Sequence, residues 1–475
     1  MADSELHYIS ASEAIARFKA RTLSPVELMS AVIDRAEAVN PKINAFTYTF
    51  FERAMEQAKK AEVRYGKTDG RRRALEGIPM VIKDETAIKG ERTTSASLIK
   101  KDNVDTADAF VVERIKRAGA IIHGRSTAPE FSAAGVTHSK LWGVTRNPWN
   151  TDFTPGGSSG GAAAQLAAGT TTLANGSDIG GSIRIPASCC GVVGFKPPYG
   201  RVPEEPGMNL DFYCHEGPLA RTVSDCALFE NVLAGPHPKD ITTLKPKLRI
   251  PAELKGIEGW KIAYSIDLGY CEVDPEVRKN TEDALDVFRG LGCTVEEVDL
   301  GWTWQVLGAA MSHLGHLWGS SMAPLLARHR FEMTTYVRAF AEFAQTTTGL
   351  DFFEAMMHAG EMYQTLGPIL EKYNLLICPT TAIPAARADH DPANDRIEIN
   401  GVEVDPMIGW VMTYPFNVMS RCPVMSVPSG RGSNGVPTGI QLVGPTYDDV
   451  TVFRAAKAYE TARPWLDAPE RRPSL

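Results

Sequence analysis

The chain has 475 residues, 43% of them hydrophobic and 23% charged, with a formal net charge of −7. That length supports a large buried core, the composition is that of an ordinary globular protein, and the acidic balance excludes a basic nucleic-acid-binding surface. The N-terminal stretch MADSELHYISASEAIARFKARTL holds no apolar run of the signal type, and no segment approaches the roughly 18 consecutive apolar residues of a membrane span, so a cytoplasmic location without a membrane partner is expected.

Residues 11–65 read as helical. Ser24-Pro25 is a helix start, serine as cap and proline at the first helical position, followed by an apolar stripe of Val26, Met29, Val32 and Ile33; a second helix is expected from Phe51 to Tyr65. The run around Arg71-Arg72-Arg73 reads as a solvated loop. Gly77-Ile78-Pro79-Met80-Val81-Ile82-Lys83-Asp84 predicts a buried strand that delivers Lys83 to its end. A helix over 105–118 and a strand over 120–124 continue an alternation that points to an α/β layered fold.

The stretch TPGGSSGGAAAQLAAGTTTLANGSDIGGSIR, 154–184, carries two Gly-Gly-Ser units, with a small-residue helix and a strand between them. A short strand closed by Pro197-Pro198 follows, then a helix entered through Arg221-Thr222-Val223-Ser224-Asp225. A Pro- and Lys-rich segment, 235–259, marks the edge of a peripheral lobe with strands at 260–265 and 293–298, a helix capped by Asp274-Pro275, and mainly helical structure over 303–372. The chain returns to strands at 375–378, 423–428 and 439–443, separated by a polar loop over 387–405, and ends in a helix. The eight cysteines form no C-x-x-C pair and read as buried thiols; Asp389, His390, Asp391 and Asp395 have no metal-ligand spacing, so neither metal nor cofactor is expected.

Three chemistries compete for the Gly-Ser stretch. A phosphate loop lacks its lysine motif. A hydrolase elbow with Ser159 as nucleophile, matching G-x-S-x-G, lacks the preceding strand and a placed histidine. The third joins Ser158, Ser182 and Lys83 as a serine nucleophile activated by lysine. On this point GIPMVIKD, PGGSSGGAAA, GSDIGGSIRIPASCCGVVGFKP and GPLARTVSD resemble successive blocks of the amidase signature family, and the resemblance extends from LSPVELMSAVIDRAEAVNPKINAF to CPTTAIPA and PFNVMSRCPVMSVPSG.

The resemblance implies one amidase signature domain over 1–475 with a three-layer αβα fold, its central sheet mixed and mostly parallel and covered by helices. Within it lie N-terminal helices (1–70), a catalytic core (71–235), a variable lobe over the pocket (236–372) and a return to the core (373–475). It further implies Ser182 as acylated nucleophile, Ser158 as a relay after a cis peptide bond, Lys83 as base, and the N–H groups of Ile179, Gly180, Gly181 and Ser182 as oxyanion hole. Asp178 and Arg184 are read as braces of that hole, and Ser132 and Ala133 as lining the acyl pocket.

Physically, a serine hydroxyl attacks an amide only if its proton leaves as the bond forms, and a lysine accepts that proton only as the neutral amine. Burial disfavours an ammonium ion, and the apolar run before Lys83 predicts its burial; a lone buried lysine then predicts activity that rises toward alkaline pH. Trp302, Trp304, Met311, Trp318, Met322, Phe352 and Phe353 are read as a pocket roof that favours an apolar or aryl amide, anilide or carbamate (urethane), with ester side activity. The partner expected is that small molecule, with a homodimer left open. Two alternatives stand beside this reading: the A subunit of a tRNA-dependent amidotransferase, which releases ammonia from glutamine, and a non-catalytic scaffold with the amidase fold.

Overall fold

A computed structural model describes residues 5–67 and 71–475; residues 1–4, part of the stretch read for targeting signals, and 68–70 lie outside the described residues. The strands of the main sheet are β1 (Phe46–Thr49), β2 (Pro79–Lys83), β3 (Ile121–Ser126), β4 (Leu173–Ser177), β5 (Val193–Lys196), β6 (Glu216–Ala220), β7 (Lys261–Tyr264), β8 (Thr294–Glu297), β9 (Leu375–Pro379), β10 (Val424–Arg431) and β11 (Pro437–Val443). Among the described residues they form one 11-stranded sheet in the order β1-β3-β2-β4-β6-β5-β10-β11-β9-β7-β8, with helices packed around it.

The sheet is mixed, as the resemblance implies. Its parallel pairs occupy two flanks, β3-β2-β4 and β9-β7-β8. The strands between them pair antiparallel, and for β10 and β11 the tight connection requires it. Strand β2 lies inside the first flank with every residue buried. An unbroken apolar run is what a strand covered on both faces needs. The same flank brings Lys83, at the carboxyl end of β2, level with Ser177, at the carboxyl end of β4. Carboxyl ends of parallel strands are where open α/β sheets form ligand crevices.

Several local expectations hold. Pro25–Ile43 is a helix whose start carries a capping box: the Ser24 hydroxyl accepts from the first turn and the Ser24 N–H donates to Glu27 at 2.7 Å. The small-residue segment is the helix Gly160–Ala168, buried on every side.

Three expectations change. The N-terminal helical region is interrupted by β1, because Asn44 ends the preceding helix in the left-handed region (φ 49°) and Phe46–Thr49 pairs antiparallel with β3. The helix expected over 105–118 begins only at Phe110, since the Asp105 carboxylate is used upstream by the Ile88 N–H and the Thr93 hydroxyl. The polar loop over 387–405 contains a hairpin, Ile397–Ile399 against Val402–Val404, turned by Asn400-Gly401 with φ of 54° and 82°. That pair of positive φ values is the Asn-Gly hairpin turn. No helix among the described residues is long and apolar enough to cross a membrane.

Candidate active site

Lys83 is fixed at both ends. Its backbone N–H donates to Asn175 Oδ1 at 2.9 Å and its carbonyl accepts from Arg125 at 3.0 Å. The side chain has no exposed surface, and Nζ meets three oxygens: Ser158 Oγ at 2.6 Å, Ser177 Oγ at 2.8 Å and Glu85 Oε1 at 2.9 Å. Glu85 in turn accepts from the hydroxyls of Ser132 and Ser177. Burial raises the Glu85 carboxyl, but the Lys83 charge and the hydrogen bonds from Ser132, Ser177 and Lys83 outweigh it and hold it below the usual carboxylate range.

Sequence reasoning placed Lys83 after an apolar run and overlooked Glu85, two residues on, and Ser177, five before Ser182. The signal was present in Lys83-Asp84-Glu85. Strand β2 ends at Lys83, and the turn that follows it brings Glu85 rather than Asp84 to the lysine side chain. Asp84 instead pairs with Arg125 at 3.5 Å, both fully buried.

The first Gly-Gly-Ser unit enters the helix Gly160–Ala168, and its Gly157–Ser158 peptide bond is cis. A Cβ on Gly157 would lie 2.5 Å from the Val136 carbonyl oxygen and 2.6 Å from that of Ala134, so only glycine fits against this backbone. Ser158 is fully buried. The two units are tied directly, the Ser159 N–H donating to the Ser182 carbonyl at 3.1 Å.

The second unit is built around Asp178 and Arg184, neither with any exposed surface. Two hydrogen bonds, of 3.0 and 2.9 Å, join the guanidinium to the carboxylate. Arg184 also donates to the Thr413 carbonyl, Gln441 Oε1 and Asn417 Oδ1 at 2.7 to 2.8 Å. Asp178 accepts the N–H of Gly181 at 2.8 Å and of Ile183 at 3.2 Å. Burial acts to raise the Asp178 carboxyl, but the Arg184 charge and hydrogen bonds from Arg184 and Asn417 hold it well below the usual carboxylate range. Nearby, burial and then the Lys196 charge push His215 down to about 3, and burial and then the Arg184 charge push Lys196 down to about 7.

This pairing alters the donor set expected for the hole. The Gly181 N–H is committed to Asp178, whereas among the described residues no protein acceptor meets the N–H groups of Ile179, Gly180 and Ser182. Gly181 has φ +131°, and a Cβ there would lie 2.0 Å from Thr413 Oγ1, the hydroxyl that donates to the Gly180 carbonyl at 2.6 Å.

Two cavities meet at these residues. One of about 60 Å³ is lined by Ser132, Ala133, Ile179, Gly180 and Ser182 and closed by apolar side chains that include Met311, Trp318 and Phe340. The other, of about 590 Å³, reaches Ser158, Ser177, Glu85 and Asp178. Ser132, Ile179 and Trp318 border both. Of the residues read as a roof, Met311, Trp318 and Met322 line these cavities. The others do not: Trp302 is buried in the core, Phe352 stacks on His316, and Trp304 and Phe353 face outward.

Residues 27–453 match the profile of the Amidase family. The chain is 34% identical to an acylamidase of Rhodococcus erythropolis over 98% of each protein. It is 33% identical to the A-type chain of the glutamyl-tRNA(Gln) amidotransferase of Carboxydothermus hydrogenoformans, over 96% of this chain and 97% of that one. Among solved structures it resembles a bacterial aryl acylamidase of the amidase signature enzymes, with a TM-score of 0.90 and 32% identity over 97% of each chain.

Breaking the Asp178–Arg184 pair strands a buried guanidinium. Asp178→Ala is therefore expected to lower unfolding free energy by roughly 3–5 kcal/mol in chemical denaturation, and a loss below about 1 kcal/mol would contradict this role. Because the carboxyl titrates lower in the folded than in the unfolded chain, its contribution is complete above the unfolded value of about 3.9 and is lost only as pH falls through the lower folded value. The difference between wild type and Asp178→Ala should accordingly be the same at about pH 5 and pH 8.

Proposed function

The chain belongs to the amidase family, and from that premise we propose that it hydrolyses the C–N bond of an apolar or aryl amide, anilide or carbamate through an acyl-enzyme on Ser182. The observation that carries this reading is the Lys83 Nζ to Ser158 Oγ hydrogen bond of 2.6 Å; Ser182 stands in the wall of the adjoining cavity with Ile179 and Gly180, whose N–H groups meet no protein acceptor among the described residues.

In this reading Ser182 Oγ attacks the carbonyl carbon as its proton passes to Ser158, whose own proton moves to Lys83. The developing oxyanion is received by the N–H groups of Ile179, Gly180 and Ser182. Asp178 keeps the intervening Gly181 N–H turned away from them and fixes the loop, so the donors need no reorganisation when charge appears. Collapse of the tetrahedral species sends a proton back through Ser158 to the leaving nitrogen. Water then repeats the cycle on the acyl-enzyme. A carbamate follows the same course, with carbon dioxide lost from the released acid, and an ester needs no additional group.

The apolar lining of the pocket beside Ser182 supports an apolar or aryl substituent there. The amidotransferase reading has its own support in the relatives from glutamyl-tRNA(Gln) amidotransferases. A glutamine substrate, however, calls for charged groups to meet its ammonium and carboxylate, and among the described residues the Ser182 pocket has no charged side chain in its wall, Glu85, Lys100, Glu204 and Glu205 lining the adjoining cavity instead. The scaffold reading requires a site that does not react at all.

Ser182→Ala should abolish labelling by a fluorophosphonate probe that modifies wild type, and undiminished labelling would remove Ser182 as nucleophile. Lys83→Ala should lower kcat/KM by about 10² to 10⁴, the range for losing a general base; an unchanged rate would take Lys83 out of the mechanism. Across a panel of anilides, aryl carbamates, short aliphatic amides and glutamine, the aryl substrates should give the highest kcat/KM, and glutamine turnover that depends on an added partner protein would reverse the assignment.

A further inference from the structure

The three oxygens around Lys83 Nζ, at 2.6, 2.8 and 2.9 Å, match the three N–H bonds of an ammonium ion. An ammonium has no lone pair with which to take a proton from Ser158. One N–H proton must leave before Lys83 can act, and among its three contacts only Glu85 is a base. Ser158 is the group to be deprotonated, and the Ser177 hydroxyl already donates to Glu85.

Taking the acyl-enzyme reading as its basis, we propose that the base of this site is the Lys83–Glu85 pair rather than the lysine alone, with Glu85 a positioning residue that stores the proton Lys83 must release. The N–H bond of Lys83 breaks as an O–H bond forms on Glu85 Oε1 across 2.9 Å. The pair passes from ammonium and carboxylate to amine and carboxylic acid, neutral overall in both states, and no proton leaves for solvent. During attack the Ser182 proton moves to Ser158 and the Ser158 proton to Lys83. This leaves an ammonium beside a neutral Glu85, with the matching negative charge on the substrate oxygen. When the leaving nitrogen takes the proton back through Ser158, the amine and the carboxylic acid are restored for deacylation by water.

The exchange starts from the ion pair, because the hydrogen bonds to Glu85 favour its carboxylate, and burial acts in the opposite sense. Burial penalises the separated charges more than the neutral pair, and Lys83 has no exposed surface. Several titratable groups face the pair from other elements. Burial, reinforced by neighbouring carboxylates, raises Glu204 and Glu216 well above the ordinary carboxyl value; burial also raises Glu205 and the Cys214 thiol. His215 is pushed down to about 3 by burial. Asp84 and Asp178 are paired with Arg125 and Arg184, and Lys100 borders the same cavity from the turn Leu98–Lys100.

A proton exchanged inside a pair is independent of pH, whereas a lysine that must lose its proton to solvent gives a rate that rises with pH. The pair thus replaces the alkaline rise expected for a lone lysine with a plateau. The test is kcat/KM for an aryl p-nitroanilide between about pH 6.5 and 9 in wild type, Glu85→Gln and Glu85→Asp, with fluorophosphonate labelling of each protein. Wild type and Glu85→Asp should be flat within about twofold, and Glu85→Gln should rise about tenfold per pH unit. Identical profiles in wild type and Glu85→Gln, or a wild type that itself rises tenfold per unit, would overturn the proposal. If Glu85→Gln does not fold, the flat or rising profile of wild type and Glu85→Asp decides in the same way. A wild type that never labels would instead sink the acyl-enzyme reading, so the two failures are distinguishable.

Discussion

The buried ion pair between Asp178 and Arg184 is the constraint on which the site depends. Two full charges with no exposed surface persist only if every lone pair and N–H finds a partner. Here the partners come from widely separated parts of the chain. The carboxylate takes backbone N–H groups of the Gly180-Gly181 turn, and the guanidinium takes oxygens of Thr413, Asn417 and Gln441. Satisfying the pair therefore ties strand β11 and the segment from Thr413 to Asn417 to the glycine turn beside Ser182. The backbone of Gly181 belongs to the brace, and among the described residues the N–H groups on either side of it meet no protein acceptor.

Topology supplies the other half. Strands β2 and β4 run side by side and parallel, so their carboxyl ends deliver Lys83 and Ser177 to one edge of the sheet although many residues separate them. Ser158 arrives from a different direction, at the entrance to the buried helix Gly160–Ala168, and the bond from the Ser159 N–H to the Ser182 carbonyl locks that entrance to the second glycine turn. Rigid strand ends and a buried helix hold side chains more tightly than free loops do. Close approach also explains the glycines: a methyl group at 157 would overlap a backbone oxygen 2.5 Å away, and one at 181 the Thr413 hydroxyl 2.0 Å away.

Features governed by local or periodic rules were legible in the sequence. The unbroken apolar run gave the buried strand ending in Lys83, and Ser24-Pro25 with Glu27 gave a helix start. The ordered glycine and serine blocks carried the family resemblance. Features decided by three-dimensional pairing were not. Phe46–Thr49 is a strand because β3 offers an edge, with Gly124 opposite Thr49 leaving room for the Phe46 ring, and nothing within four residues announces that edge. The aromatic residues read as a roof divide by helix face, which periodicity in a region hydrophobic on several sides does not resolve: Met311 and Trp318 turn inward while Phe353 turns out. Ile397 to Val404 was legible after all, since Asn-Gly between short alternating runs is a hairpin signal. The partners of Lys83 were legible only in part, because the sequence puts Glu85 beside it but cannot bring Ser177 across from β4.

The charge balance around Lys83 bears on what can enter the site. A buried ammonium facing a cavity without a counter-charge would hold water there and make the approach of an apolar substrate costly. With Glu85 against it, and with Ser132 and Ser177 donating to the same carboxylate, the local field is that of a compact dipole rather than a point charge. The field of a dipole falls off faster than that of an ion. Ser132 is also one of the three residues that border both cavities, so the residue whose hydroxyl steadies the carboxylate forms part of the wall between them. Pairing within the protein thus leaves the neighbouring pocket apolar enough for an uncharged group.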